Sequence, residues 1–327
     1  MNHVRIRGGG VAALTCAHLL RRAGISLSFE AAQRPRLPAI LLSETAQHLI
    51  AGVFDRPDLF AGFPPIHTRI VSWGAPTAVL PHRAVVVSEE SLLARLGMDP
   101  ETPPAVSPEA APDWTIRTLT PESSHSFGVR PAGVWPAELR SEAESCACWI
   151  ESLETGWLFL ITYASGKAWL LAAGDLSPDP LATSALISPK VARLGECAGR
   201  FPTAPRIAVE LCGTNWLACG SAAMGFDPLC GDGTAHAIRE ALLACAVLTA
   251  LAGGEDPDGL RDHYRARLIS GFERHLGLCQ AFYRAPGGAW WDEQSSAIDE
   301  GMAWCRRQLA STPPFRYRLN NFVLERV

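Results

Sequence analysis

Two glycine-rich turns, about two hundred residues apart, are the parts of this sequence best suited to bind a ligand. The first begins at Gly8 near the N-terminus, and the second runs from Gly220 to Thr234. Each turn precedes an apolar segment that predicts a helix. Backbone N–H groups at a helix N-terminus donate to phosphate or to another electron-rich group. The two turns therefore predict one long ligand that is held at both ends.

The first turn has the pattern of a dinucleotide-binding unit. Three consecutive segments predict its strand–helix–strand order: residues 3–7, 11–22 and 25–29. Gly8, Gly10 and Ala13 form the pattern G-x-G-x-x-A, and Glu30 follows the second strand, where an acidic side chain binds a ribose hydroxyl. The alternative is a chance glycine turn before a helix. The acid at the end of the second strand favours the dinucleotide interpretation.

Composition excludes several other classes of protein. The chain has 327 residues, of which 48% are hydrophobic and 19% charged, and its net charge is −4, as expected of a globule with a sizeable core. The basic residues are scattered, so we expect no nucleic-acid partner. Cys146 and Cys148 are the only closely spaced pair among ten cysteines, and no second ligand pair lies near them, which disfavours zinc there. No signal peptide is recognised and no apolar run reaches about 20 residues, so we expect a cytoplasmic protein without a membrane partner.

The rest of the chain predicts a sheet and further helices. Strands are predicted at residues 84–87, 147–151, 157–163, 168–173, 206–211 and 216–219, and helices at residues 89–96, 234–251 and 258–283. Leu260, Leu276 and Phe282 belong to the predicted buried stripe of the last helix. Residues 99–113 are rich in proline, alanine and acidic residues and predict a surface connector.

These features make the chain resemble the FAD-dependent monooxygenases of the para-hydroxybenzoate hydroxylase superfamily. It is most similar to the branch that contains flavin-dependent tryptophan halogenases and the flavoenzymes that hydroxylate peptidyl tryptophan during quinone-cofactor maturation. The resemblance covers most of the chain and rests on residues 8–30, on residues 220–241, and on the helix end before Trp290 and Trp291. It implies that FAD is the cofactor.

The resemblance also implies the fold and its division into domains. We expect an α/β fold, with a Rossmann-like FAD-binding domain, an interleaved antiparallel β-sheet substrate domain and C-terminal helices. The expected parts are a first FAD-binding segment, a β-rich substrate domain, a second FAD-binding segment and a C-terminal helical region: residues 1–98, 99–194, 195–255 and 256–327.

In the first turn, the resemblance implies contacts to the adenosine half of FAD. Gly8, Gly10 and Ala13 would pack against the pyrophosphate, and Glu30 would bind the adenosine ribose.

In the second turn, the resemblance implies contacts to the flavin half. Gly220 and Ser221 stand where the family has Gly-Asp, whose acid binds the ribityl chain, and Ser221 supplies no carboxylate. Asp227 and Pro228 would shape the loop at the flavin edge. The residues expected beside the isoalloxazine ring are Gly231, Asp232, Gly233 and Thr234.

The sequence departs from the halogenases of this branch. Those enzymes rely on a lysine over the flavin and on a Trp-x-Trp-x-Ile-Pro stretch. The corresponding stretch here begins at Trp157 and ends at Thr162, and neither Lys167 nor Lys190 precedes the predicted substrate sheet. Halogenation is therefore disfavoured.

Three residues are candidates for the substrate pocket. His125 would assist proton transfer from an aromatic substrate, since an imidazole titrates near neutral pH, or it is a loop histidine bonded to backbone. Arg130 would bind a substrate carboxylate or else cap a neighbouring loop. Trp157 belongs either to the pocket or to the core.

The resemblance predicts an FAD-dependent monooxygenase of a biosynthetic pathway. A flavin hydroperoxide would deliver oxygen to an aromatic, tryptophan- or indole-like group of a small molecule or of a peptidyl substrate. A separate flavin reductase would supply the reduced flavin. The alternatives are a flavin-dependent halogenase and a cofactor-poor, non-catalytic binding protein of the same fold.

Overall fold

A computed structural model describes residues 3–32, 36–97, 112–142, 145–175, 178–231, 233–313, 316–320 and 322–327. The connector predicted at residues 99–113 lies outside them except for its last two residues. The six helices of the described residues are α1 (Gly10–Arg22), α2 (Glu44–Val53), α3 (Glu89–Arg95), α4 (Gly233–Ala252), α5 (Pro257–Tyr283) and α6 (Ala289–Ala310).

Eighteen strands alternate with these helices in the described residues. The first nine are β1 (His3–Arg7), β2 (Ser26–Glu30), β3 (Ile40–Ser43), β4 (Pro65–Ser72), β5 (Ala78–Val87), β6 (Trp114–Arg117), β7 (Ser124–Ser126), β8 (Pro131–Leu139) and β9 (Ala147–Leu153). The others are β10 (Gly156–Ala164), β11 (Lys167–Gly174), β12 (Val191–Leu194), β13 (Gly199–Pro202), β14 (Arg206–Ala208), β15 (Trp216–Ala218), β16 (Met224–Gly225), β17 (Tyr317–Asn320) and β18 (Val323–Arg326).

The N-terminal strands form a small parallel sheet. Its four strands have the order β15-β6-β1-β2, and each neighbouring pair is parallel. Helix α1 connects β1 to β2, so the predicted strand–helix–strand unit is confirmed. The outer strand β15 runs directly into the second glycine-rich turn, which brings the two turns to the same end of this sheet.

A larger sheet stands beside the first. Eight of its nine strands follow the order β12-β8-β11-β10-β9-β4-β5-β3, and β13 pairs with β8. All pairs are antiparallel except β4 with β9. The sheet takes strands from residues 40–87 as well as from residues 131–202, on both sides of the proposed boundary after residue 98. The domain boundaries stay a prediction.

Strand β10 lies in the middle of this sheet, and both of its faces are apolar. Trp157, Phe159 and Ile161 belong to the core shared with the parallel sheet and the helices. Leu158 and Leu160 point to a separate cluster on the opposite face. Alternating side chains of a strand point to opposite faces, so this unbroken apolar run is typical of a strand that is buried on both sides.

Helix α4 is long and apolar enough to span a membrane by length and composition alone. The sequence expectation concerned an unbroken apolar run, and Arg239 and Glu240 interrupt this helix. However, 61% of its most apolar window is buried inside the protein, as in a core helix. It packs against α1 through small residues such as Ala13, Cys16, Ala241 and Ala244, which are all nearly inaccessible to solvent.

Helix α5 buries most of its predicted stripe. Leu260, Tyr264, Phe272 and Leu276 are buried, whereas Phe282 is 42% exposed. Phe282 follows Leu276 by six residues, or about one and two-thirds turns, and so it lies on another face of the helix. The sequence left the tail after residue 286 unassigned, and there α6 packs along α5.

Candidate active site

The two glycine-rich turns are in contact. Gly220 has φ +60°, and a Cβ atom at this position would lie 2.8 Å from the Cβ atom of Ala12 in the first turn of α1. Gly8 has φ +120°, and a Cβ there would lie 2.3 Å from Oγ1 of Thr118. Any larger residue would clash at both positions and would be strained in these conformations. The glycines therefore allow β1, α1, β6 and β15 to meet at one point.

A cavity of about 460 Å³ opens between this meeting point and the large sheet. Seven of the residues predicted to bind FAD line it: Gly220, Ser221, Asp227, Pro228, Gly231, Gly233 and Thr234. The first turn contributes Gly9 and the neighbouring Ala12. Asp232 lies outside the described residues. The cavity thus joins both turns, as the sequence predicted for a single ligand.

The wall formed by the large sheet is apolar and partly aromatic. Its lining side chains are Val134, Phe159, Ile161, Trp169, Leu171 and Phe201. Such a wall excludes water and accepts a planar aromatic group, while the opposite wall presents backbone amides of the two turns.

The other predicted residues of the first turn lie beside the cavity. Gly8, Gly10 and Ala13 lie at the junction of β1 and α1 but do not line the cavity. The Glu30 carboxylate, half exposed at the end of β2, forms an ion pair with Arg7 at 2.8 Å. The predicted bond from Glu30 to a ribose stays a prediction.

Glu240 is a cavity residue that the sequence analysis missed. It lies on α4, is buried, and accepts a hydrogen bond of 2.8 Å from the backbone N–H of Gly220. Its other carboxylate oxygen has no partner among the described residues. Burial raises the pKa of Glu240 to about 8, against the opposing effect of the Gly220 bond. The sequence signal for this residue was an acid at the start of the apolar run Ala241–Ala252.

Arg206 was missed as well. Its Nη2 donates to the backbone oxygen of Ser221 at 2.9 Å, and its side chain lines the cavity. The Nη1 atom is buried and has no partner among the described residues. Burial lowers the pKa of the Arg206 guanidinium, which is otherwise far above neutral pH. The side chain therefore places a positive charge next to the second turn, where it favours an anionic group.

Two of the three predicted pocket residues meet in one buried network. Arg130 forms an ion pair with Asp227 and also donates to Gln294 Oε1 at 3.0 Å. Tyr283 donates to the same Asp227 carboxylate at 2.7 Å and accepts from the indole N–H of Trp157 at 2.9 Å. The carboxylate that Arg130 contacts thus belongs to the protein, and it belongs to the loop whose Pro228 and Gly231 line the cavity. Arg130 and Trp157 hold this loop rather than face the cavity.

His125 lies apart from the cavity. It is exposed on β7, and its ring centroid is 5.0 Å from that of Trp304 on α6. Its predicted part in proton transfer stays a prediction.

Solved structures with this fold are found at low sequence identity. One is the peptidyl tryptophan dihydroxylase QhpG, essential for tryptophylquinone cofactor biogenesis, with a TM-score of 0.69 and 17% identity over 99% of this chain and 86% of its own. The myxobacterial chondrochloren halogenase CndH, a variant of FAD-dependent halogenases, has a TM-score of 0.65 and 14% identity over 95% and 91%. The p-nitrophenol 4-monooxygenase PnpA from Pseudomonas putida has a TM-score of 0.67 and 12% identity over 95% and 98%.

No protein-family profile and no curated protein matches the sequence. The similarity to solved structures therefore concerns the fold. The expected α/β architecture is confirmed, and the chain has the fold that flavin-dependent monooxygenases and halogenases share.

Proposed function

We propose that this chain binds FAD in the cavity between the two turns and is a flavin-dependent monooxygenase. The observation that carries the proposal is the cavity itself, which joins Gly9 of the first turn to Gly231 and Gly233 of the second. The resemblance places Gly231 and Gly233 beside the isoalloxazine ring, and Gly9 lies between Gly8 and Gly10, which it places against the pyrophosphate. The FAD-dependent halogenase and the monooxygenases of the same fold support this choice of cofactor.

The residues of the cavity fit both ends of FAD. Backbone amides and the Arg206 guanidinium lie near the meeting point of the turns, where they would favour an anionic pyrophosphate. A Cβ atom added at Gly231 or Gly233 would have no heavy atom within 4 Å, so the loop leaves room for a flat ring. Ser221 would donate to or accept from a ribityl hydroxyl.

When bound and reduced, FAD supplies the two electrons that activate O₂, so that one oxygen atom enters the substrate and the other leaves as water. The chain's own contribution is to exclude water and to orient the substrate. Phe159, Trp169 and Phe201 form an aromatic wall for this purpose. We propose an aromatic, tryptophan- or indole-like substrate group, as in the peptidyl tryptophan dihydroxylase with the same fold. A separate flavin reductase would supply the electrons.

Hydroxylation is favoured over halogenation by the position of the lysines. Halogenases of the resembling branch rely on a lysine over the flavin. Lys167 and Lys190, the two lysines of the sequence, are both absent from the described lining of the cavity. A chain without that lysine would hydroxylate but not halogenate.

The cofactor assignment is tested by titrating FAD against Gly9→Trp and Gly52→Trp. Gly9 lines the cavity, and the nearest atom to a Cβ added there is a backbone oxygen at 3.8 Å, so a tryptophan adds bulk at the cavity lining without backbone strain. Gly52 has equally open surroundings on α2, away from the cavity. We expect saturable binding by wild type and Gly52→Trp, and loss of binding by Gly9→Trp. Absence of binding of oxidised and reduced FAD to the wild type would leave the non-catalytic binding protein as the explanation.

The reaction is tested with reduced FAD, ¹⁸O₂ and either free indole compounds or tryptophan-containing peptides. A monooxygenase adds one ¹⁸O atom to the product, which mass spectrometry detects. Halogenated product in the presence of chloride or bromide would reverse the choice between the two activities. Turnover of peptides but not of free compounds would identify the substrate as peptidyl.

A further inference from the structure

A loop of the second turn and helix α5 bring together two thiols and an imidazole. Cys230 is half-buried at the end of the short turn Pro228–Cys230, and His275 and Cys279 are buried one helical turn apart on α5. The ligand atoms of these three residues lie within 4.8 Å of one another. This is the single cluster of that kind among the described residues, and the proposed monooxygenase reaction does not use it.

We propose that Cys230, His275 and Cys279 form a binding site for a tetrahedral thiophilic cation such as Zn²⁺. The Sγ atoms of the two cysteines are 3.7 Å apart, and Cys279 Sγ lies 3.3 Å from His275 Nε2. Zinc–sulfur bonds of about 2.3 Å and zinc–nitrogen bonds of about 2.0–2.1 Å give tetrahedral edges of about 3.8 and about 3.5 Å. Two of the three edges therefore match a zinc site before any ion is bound, and the fourth position is left for water.

The hydrogen bonds around His275 show which contacts an ion would replace. A neutral imidazole has one acceptor nitrogen, yet Nε2 faces two donors, the Cys279 thiol at 3.3 Å and the Asp227 backbone N–H at 3.0 Å. An ion bound at Nε2 would take the single lone pair for which these two donors compete, so it would replace the Cys279 proton and displace the Asp227 N–H.

The places of these three residues in the fold show what such an ion would do. His275 and Cys279 are fixed on a long helix, whereas Cys230 belongs to the loop whose Pro228 and Gly231 line the cavity. An ion bound to all three residues would link this loop to α5 through metal–ligand bonds. These bonds are stronger than the contact between the thiols of Cys230 and Cys279. The site is independent of the proposed function, since it requires neither FAD nor substrate.

The test is a Co²⁺ titration of the full chain after reduction, chelation and anaerobic desalting. We expect the thiolate-to-cobalt band and the visible bands of tetrahedral Co²⁺ to saturate at one equivalent, and one equivalent of Zn²⁺ to abolish them. Cys230→Ser, at a half-buried loop position, should weaken binding by more than about tenfold. Cys279→Ser should do the same, and thermal unfolding would show whether it folds.

Cys146→Ser and Cys197→Ser, at two exposed cysteines, are the matched controls and should bind Co²⁺ like the wild type. The proposal fails if no saturable band appears, or if the band survives in Cys230→Ser. It also fails if the chain as purified holds no metal and, unfolded without reductant, shows two thiols fewer than the ten of its sequence because Cys230 and Cys279 form a disulfide. That result would identify a redox pair instead.

Discussion

At the residue scale, Glu240 combines burial with a cavity position. Its carboxyl group is protonated below a pKa of about 8, whereas the ordinary pKa of a glutamate side chain is 4.5. Between these values the folded chain holds a proton that the unfolded chain has released. The free energy of unfolding contributed by Glu240 must therefore fall as pH rises through this interval.

This difference predicts the behaviour of Glu240→Gln. The amide keeps an oxygen to accept from the Gly220 N–H but does not titrate. We expect the unfolding free energy of the wild type, relative to the variant, to fall by up to about 1.4 kcal/mol per pH unit between pH 4.5 and about 8. Urea unfolding at several pH values measures this. Parallel pH profiles for the two proteins would contradict the buried, protonated Glu240.

A second prediction at this scale concerns the buried pair Arg130–Asp227. Both side chains are fully inaccessible to solvent, so removing one charge leaves the other buried and unpaired. Asp227→Asn should lower the unfolding free energy by about 3–5 kcal/mol. The double variant, with Asp227→Asn and Arg130→Met, should lose less unfolding free energy than the sum of the losses in the two single variants. We expect a difference of about 0.5–3 kcal/mol. Strict additivity in urea unfolding would show that the two side chains are not coupled.

At the scale of elements, Gly220 decides how closely β15 approaches α1. Gly220→Ala would force a residue with a Cβ into a left-handed backbone conformation. It would also place this Cβ 2.8 Å from the Cβ of Ala12. Gly24→Ala is the matched control, since Gly24 has φ +74° but no atom within 4 Å. We expect about 1–2 kcal/mol of destabilisation for Gly24→Ala and a larger loss for Gly220→Ala. Equal losses of stability in the two variants, measured by thermal unfolding, would mean that the close contact between the turns does not contribute to stability.

At the scale of the whole molecule, one core connects the two sheets. The parallel sheet, α1, α4, α5 and one face of the large sheet share a single cluster of buried residues. The proposed FAD site lies between these layers. A ligand there should stabilise the entire fold rather than one part of it.

We therefore expect a single thermal transition that FAD moves to higher temperature. At a hundred times the dissociation constant, the stabilisation should be about 2.7 kcal/mol. Gly9→Trp should unfold at a temperature that does not depend on FAD, and this variant is the control for unspecific effects. Two transitions, of which FAD shifts only one, would show that the layers unfold independently.

The local parts of this fold were predictable from sequence because they depend on neighbouring residues. The strand–helix–strand unit follows from the apolar period and from the glycines that begin and end α1. The strands Gly156–Ala164 and Lys167–Gly174 follow from their aromatic and branched residues and from the glycine turn between them. The glycine turns followed from the same local chemistry, and seven residues of the second turn that were predicted to bind FAD line the cavity.

The partners of charged residues required the tertiary structure. Arg130 and Asp227 are 97 residues apart, and nothing local in the sequence shows that they form a pair. Glu240 and Arg206 became recognisable as cavity residues once β14, β15 and α4 had been placed around the second turn. Cys230 and Cys279 come together because α5 packs against that turn. Sequence thus determined the elements and the two glycine-rich turns, since these depend on backbone conformation over a few residues. The tertiary structure alone decided which buried charges and thiols meet, because these contacts depend on how distant elements pack.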